Sequence, residues 1–510
     1  MATTEQFLST IQSGYAFKGA AVKMGIGMLD GKPVKGADVN LSLKMMTRHG
    51  LIAGATGTGK TKTLQTISEF LSDAGVPVML MDIKGDLSGL AAKGSFNDKI
   101  KERYELLELD YDPRGFPVEL LSLSKEKGVR LRATVSEFGP TLLSKVLDLN
   151  ETQSSIVAVI FKYADDAHLP LVGLKDFIKV LQYITEEGKA EIEQAYGKIS
   201  TASTGTILRK VIELQGQGAD IFFGEPSFEV EDLMRRDKDG KGMVNILRVT
   251  DLQDRPKLFS TFMLQMLDEL YASSPEQGDL DLPKLVLFID EAHLLFQEAS
   301  DALLDKIESV IKLIRSKGIG IFFCTQNPQD VPAAILSQLG FKVQHALRAF
   351  TAKDRKAIKT AAENFPVSDF YKTDELLTGM GIGEALVTML NEKGAPTPLV
   401  HTLLCSPRSR MDILSPEEIE GLVVSSQLVK KYDQEVDEDS AYEILSQKLA
   451  HASAKNQSEE SKAKTKKSQQ DGGFFSNPIV KSAARTAAVT ITGYITRSIM
   501  GALGLGGKRR

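Results

Sequence analysis

One octet, Gly54-Ala55-Thr56-Gly57-Thr58-Gly59-Lys60-Thr61, constrains the fold of this chain more than any other stretch. It follows the apolar run Leu51-Ile52-Ala53 and precedes a helix-like segment at 62–74, so the local order has to be strand, glycine loop, helix. The spacing G-x-x-x-x-G-K-[ST] lets backbone N–H groups turn inward where a side chain would block approach, and the helix N-terminus adds partial positive charge. Such a loop suits phosphates: Lys60 brings a point charge and Thr61 a hydroxyl for Mg²⁺. A flexible glycine turn is the alternative, and the entering strand and leaving helix argue against it.

With 510 residues, 42% of them hydrophobic, the chain can bury a sizeable core and is expected to hold two or three structural units. A net charge of −5 gives no global reason to bind nucleic acid, although a local basic groove is compatible with it. Cys324 and Cys405 sit in apolar runs far apart and form no metal-ligand set, which favours a reducing compartment. The opening Met1-Ala2-Thr3-Thr4-Glu5-Gln6 lacks a basic stretch followed by an apolar one, so the expected location is the cytoplasm.

Residues 1–45 read as a β-rich lead-in with a hairpin, and 46–128 as the first part of a nucleotide-binding core. In that core a buried strand at 76–83 ends in Asp82-Ile83-Lys84-Gly85-Asp86. Residues 129–235 read as a mainly helical insertion. The core resumes over 236–410, with strands at 243–249, 285–289, 319–324 and 343–348 and helices at 256–271 and 301–317. This alternation predicts an α/β fold with a mainly parallel central sheet, and β-like pieces at 384–390 and 399–404 are expected to extend its edge.

Beyond this core the charge changes sign, from about −6 over 417–448 to about +8 over 451–510. We expect an acidic helical segment at 411–453, a disordered linker at 454–473, and a basic amphipathic helix at 474–510. That last helix aligns Ile491, Ile495, Ile499 and Leu503 on one face and is expected to dock on its own or a neighbouring subunit, a membrane surface being the alternative. Arg485 and Arg497 interrupt the best candidate for a membrane span.

The chemistry concentrates at two strand ends. Lys284-Leu285-Val286-Leu287-Phe288-Ile289 runs into Asp290 and Glu291, which suits a phosphate loop: Asp290 for the metal, Glu291 to polarise a water attacking the γ-phosphate. The alternative is that the two acids merely start a helix. Ile319-Gly320-Ile321-Phe322-Phe323-Cys324-Thr325 ends at Gln326, an amide able to contact the γ-phosphate or the water, with an ordinary strand-end turn as the alternative. His293 lacks histidine or cysteine partners and reads as a helix-start packing residue. Asp82 and Asp86 either approach the nucleotide or form a turn.

These residues, the octet with 285–291 and Phe322 to Pro328, resemble the HerA/FtsK superfamily of P-loop ATPases. More narrowly, Arg48 to Thr61 and Asp82 to Leu90 resemble the bacterial YjgR-like branch of HerA-like proteins, a likeness covering most of the chain. The resemblance implies a RecA-like ATPase core that places an extra strand between the two nucleotide motifs, binds ATP with Mg²⁺ and forms a homo-oligomer, a hexameric ring. It also implies a neighbour's arginine completing each site, best matched by Arg348, with Arg315 in reserve.

Three departures temper that likeness: about 45 residues precede the core, too few for an N-terminal β-barrel, and neither membrane spans nor a winged-helix module are visible. DNA as a partner thus follows from family analogy, with Lys84 to Lys93 as a candidate gripping loop and ordinary surface lysines flanking a glycine-rich turn as the favoured alternative. The expected function is a Mg²⁺-dependent ATPase forming a ring that moves DNA. The alternatives are a regulatory ATPase switch controlling partner binding, and a membrane-surface scaffold.

Overall fold

A computed structural model describes residues 3–253, 255–278, 280–297, 299, 301–433 and 440–451. Its strands are β1 (Ala21–Leu29), β2 (Lys32–Ser42), β3 (Gly50–Ala53), β4 (Val78–Asp82), β5 (Val118–Ser122) and β6 (Val129–Arg130). They continue with β7 (Val244–Arg248), β8 (Leu285–Ile289), β9 (Ile319–Thr325), β10 (Phe341–Gln344), β11 (Glu384–Thr388) and β12 (Val400–Leu404). All twelve join one sheet in the order β2-β1-β12-β11-β10-β3-β9-β8-β4-β7-β5-β6.

From β10 to β6 every pairing is parallel, and from β10 outward through β11, β12, β1 and β2 every pairing is antiparallel. Strands β3, β4, β8 and β9 are buried at every position, as parallel strands covered on both faces require. Their near-continuous apolar runs are the sequence expression of that burial.

Strand β9 lies between β3 and β8, with Ala53 opposite Thr325 and Ile289 opposite Phe323. That register brings the carboxyl ends of β3, β8 and β9 to one edge, where a doubly covered sheet leaves its ligand crevice. Next to β8, β4 aligns Met81 with Ile289, so the turn after β4 reaches the same edge.

The pieces at 384–390 and 399–404, expected at the sheet edge, lie inside it as β11 and β12. The hairpin β1–β2 pairs with β12 and takes the edge instead. Lys32, Pro33 and Lys35 on outermost β2 are the kinds of residue that discourage further strand pairing. Two features carried too little pattern to be anticipated. The helix Thr4–Gly14, capped by a reciprocal Thr3–Gln6 pair, buries only Phe7 and Ile11, and β5 pairs with β7 on the far side of the sheet.

Within 129–235 the first two residues are strand β6. Six α-helices follow, Val135–Val146, Glu151–Asp166, Leu174–Thr185, Lys189–Tyr196, Thr201–Gly216 and the short Val230–Leu233. Met1–Leu445 forms one compact unit; a second, Ser446–Arg510, is described only to 451, where it is helical. The linker expected at 454–473 and the basic helix expected at 474–510 lie outside the described residues. No described helix is long and apolar enough to cross a membrane.

Candidate nucleotide site

Strand β3 delivers the chain to the octet, whose backbone is tied down on three sides. Gly54 N–H donates to the Thr325 carbonyl (3.2 Å), Ala55 N–H to that of Ala346 (2.8 Å), and Gly383 N–H to that of Thr58 (3.1 Å). Gly59 has φ 114° as it turns into the helix Lys60–Asp73, a left-handed conformation that favours glycine. Gly54 has φ 153°, and a Cβ there would lie 2.5 Å from the Cβ of His345. The first N–H groups of the helix therefore face the loop without partners inside the helix, an arrangement suited to an anion.

Lys60 is buried and curls back on the loop, donating to the carbonyls of Gly54 (2.6 Å) and Ala55 (3.3 Å). Burial, and then the nearby Lys84 ammonium, lower its affinity for its proton. An incoming phosphate would relieve both effects by supplying the missing counter-charge.

Asp290 and Glu291 follow β8 and are both buried, 4% exposed each. The chain bends sharply here: Glu291 has φ 45°, and Ala292 N–H donates to the Cys324 carbonyl at 2.9 Å. Asp290 Oδ2 has no hydrogen-bond partner. Burial, then the adjacent Glu291 charge, push its carboxyl up to about 6. A buried carboxylate oxygen without a donor, beside a loop ending in a threonine hydroxyl, fits a hard divalent cation such as Mg²⁺. Among the described residues no group of three or more His, Cys, Asp or Glu is placed to hold a metal ion.

Glu291 is the hub. Its Oε1 accepts from the Lys84 ammonium and stands 3.5 Å from Gln326 Nε2, and its Oε2 lies 3.3 Å from His293 Nδ1. Burial works upward on this carboxyl, but Lys84, aided by His293 and Gln326, prevails and holds it below the usual carboxylate range. Gln326 Oε1 in turn accepts from the Thr56 hydroxyl at 3.2 Å. The structure thus joins the loop tip, the strand-end acid and the strand-end amide in one chain of contacts.

His293 opens the helix His293–Phe296, as expected, and also faces Glu291. Asp82 is a turn-former: Oδ1 accepts from Gly85 N–H (2.8 Å) and Asp86 N–H (3.1 Å), and Oδ2 from Leu87 N–H (3.2 Å). Lys84, read as one end of a polymer-gripping loop, is instead turned onto Glu291, while Lys93 bridges to Ser409. Strand adjacency, absent from the one-dimensional pattern, decides this.

Arg348 lies exposed four residues past β10, two beyond the carbonyl that holds Ala55. Arg315 is half-buried in the turn before β9, at the opposite edge of the sheet from its own loop. Sequence reasoning missed His345, which is buried behind the loop. Its Nε2 lies 2.9 Å from Thr63 Oγ1 and its Nδ1 3.0 Å from the Glu384 carbonyl, and burial lowers it to about 4, so it packs as a neutral wedge.

A family model described as Helicase HerA-like C-terminal matches residues 28–510. The DNA double-strand break repair helicase HerA of Saccharolobus solfataricus is 23% identical over 368 residues, 71% of this chain and 65% of that protein. The DNA import protein CedB of Sulfolobus acidocaldarius is 24% identical over 363 residues, 70% of this chain and 52% of that one. The chain therefore spans just under two thirds of the first of these relatives and about half of the second. Among solved structures, the bacterial conjugative coupling protein TrwB in complex with sulphate superposes with a TM-score of 0.52 at 13% identity, covering 81% of this chain and 95% of that one. TrwB with the ATP analogue ADPNP gives 0.51 at 14%, covering 77% and 93%. At such identities the likeness is one of fold alone.

Proposed function

The chain belongs to the helicase HerA-like C-terminal family, and on that premise we propose that it is a Mg²⁺-dependent ATPase that forms a ring in the cytoplasm and converts hydrolysis of ATP to ADP and phosphate into movement along DNA. The observation that carries the hydrolase reading is the contact chain Thr56–Gln326–Glu291, which ties a buried carboxylate to the phosphate loop.

In this reading the N–H groups of Gly54 to Thr61 and the Lys60 ammonium hold the β- and γ-phosphates. Asp290 and Thr61 hold Mg²⁺, which neutralises phosphate charge when bound. Glu291 takes the proton of the attacking water, and Gln326 orients that water while reporting on the loop through Thr56. The dry surroundings of Glu291 strengthen these interactions and keep out competing solvent. An arginine from a neighbouring subunit meets the charge developing on the transferred group, Arg348 first and Arg315 in reserve.

Support for DNA comes from surface charge as well as family. Lys353, Arg355, Lys356 and Lys359 are all exposed on the helix Ala352–Glu363, and Phe350 just before it is 85% exposed. On a chain of net charge −5, such a local cationic surface with an aromatic suits a polyanion.

One observation favours a second reading, a nucleotide-controlled switch for a protein partner. The segment leading to the C-terminal helices is strapped onto the phosphate-loop helix: Lys62 donates to the Met411 carbonyl (2.5 Å), Gln65 to that of Arg410 (2.9 Å), and buried Glu69 accepts the N–H groups of Arg408 and Ser409.

ATPase rate and oligomeric state, measured together with and without single- and double-stranded DNA over a salt series, separate the two readings. The motor reading expects DNA stimulation that falls steeply with salt. Activity indifferent to DNA refutes it and leaves the switch.

A further inference from the structure

We infer that Lys84 is a positioning residue that exchanges partners with the nucleotide: it holds Glu291 while the site lacks a γ-phosphate and moves to that phosphate when a nucleoside triphosphate binds, freeing the Glu291 carboxylate. This rests on the reading of Gly54–Thr61 as the triphosphate site.

The turn bearing Lys84 is built rigidly. Asp82 accepts three successive N–H groups from it, Gln253 Nε2 donates to the Ile83 carbonyl at 2.6 Å, and Gly85 takes φ 75° so that the chain can fold back. The register of β4 against β8 then places this turn beside the Asp290–Glu291 bend. What remains adjustable is the Lys84 side chain itself, 38% exposed, with its ammonium paired to Glu291.

Three groups able to donate to a phosphate oxygen converge on this spot: the ammoniums of Lys84 and Lys60, and the amide of Gln326. Each is occupied by an oxygen of the protein, Lys60 by loop carbonyls and the other two by Glu291 Oε1. The Lys84 ammonium is close enough to disfavour the charge on Lys60. A terminal phosphate with several anionic oxygens satisfies both cations at once, whereas Glu291 offers one charge. A diphosphate ends before that position and leaves the Lys84–Glu291 pair in place. Ion pairing of Lys84 with Oε1 stabilises the charged carboxylate and makes Glu291 a weaker base, so the exchange gates its acceptance of a proton from water.

A double-variant binding cycle tests the assignment on the full chain, with fluorescent ADP and a non-hydrolysable ATP analogue as probes. Glu291→Gln removes the carboxylate that competes for Lys84, so it should raise affinity for the ATP analogue about tenfold and leave ADP affinity unchanged. In a Lys84→Met background the same substitution should give no such gain, and Lys84→Met alone should narrow the preference for the analogue over ADP. Lys84→Arg, which keeps the charge, should restore part of that preference. An equal gain from Glu291→Gln in both backgrounds overturns the partner exchange. Retained ADP binding in each variant verifies that the loop is intact, and absence of ADP binding in the unsubstituted protein refutes the nucleotide site itself, a distinct outcome.

Discussion

Two alanine substitutions in the same loop should behave very differently, because the loop stands on packing as well as on glycine freedom. At Gly54 an added Cβ would meet the His345 Cβ at 2.5 Å and the Thr58 hydroxyl at 3.0 Å. The first contact cannot be relieved by rotating a side chain, since a Cβ moves only with its backbone. His345 is fully buried and bonded at both ring nitrogens, so displacing it disturbs Thr63 in the loop's helix and the backbone at Glu384. Backbone strain of about 1–3 kcal/mol adds to overpacking of about 1–3 kcal/mol, and Gly54→Ala is expected to cost about 2–6 kcal/mol. Gly57 has φ 78°, yet a Cβ there would meet nothing within 4 Å. Gly57→Ala should therefore cost about 1–2 kcal/mol, the left-handed term alone. Urea midpoints at matched slopes and ADP affinity, measured in parallel on both variants, give the comparison. Equal losses, or a greater loss at Gly57, would refute the view that His345 wedges the loop into shape.

The chemical assignments lead to three further expectations. Glu291→Gln should bind ATP but lose about 10²-fold or more in turnover, whereas Lys60→Ala should weaken nucleotide binding itself; near-normal turnover in the first would remove Glu291 from its role. An Arg348→Ala subunit mixed with a Glu291→Gln subunit should regain some activity if the arginine acts across an interface. No recovery in verified mixed rings, set against the same test with Arg315→Ala, would transfer the role. Burial, then its neighbour Asp86, push the Asp82 carboxyl up to about 7 from its ordinary 3.8, against the N–H groups it accepts. The folded state thus holds this proton more tightly than the unfolded chain between about pH 4 and 7, so the Asp82 contribution to stability falls as pH rises through that window. Asp82→Asn should flatten stability against pH there, and an unchanged slope in denaturant titrations would count against the assignment.

Much of the site was legible along the chain because its parts are local. The octet, the apolar run into Asp290–Glu291 and the run into Gln326 each carry their chemistry within about ten residues, and buried parallel strands announce themselves as uninterrupted apolar stretches. The edge of the sheet was less legible. Strands β11 and β12 have the same composition whether they end a sheet or sit inside it, and only the pairing of Gly25 with Leu404 puts β1 beyond them. The pairing of Lys84 with Glu291 and the wedge made by His345 were missed for the same reason, since each acts on a residue more than 200 positions away.

The sequence by itself determined the phosphate loop, the two strand-end groups and the α/β alternation, because a glycine's freedom, a strand's burial and a helix's N-terminus are set within a few residues. Only the tertiary structure decided that Glu291 lies between Lys84 and Gln326, that Gln326 touches Thr56, and that His345 backs the loop. Those contacts depend on which strands become neighbours and in what register. Packing over the whole sheet sets that choice, and no single segment encodes it.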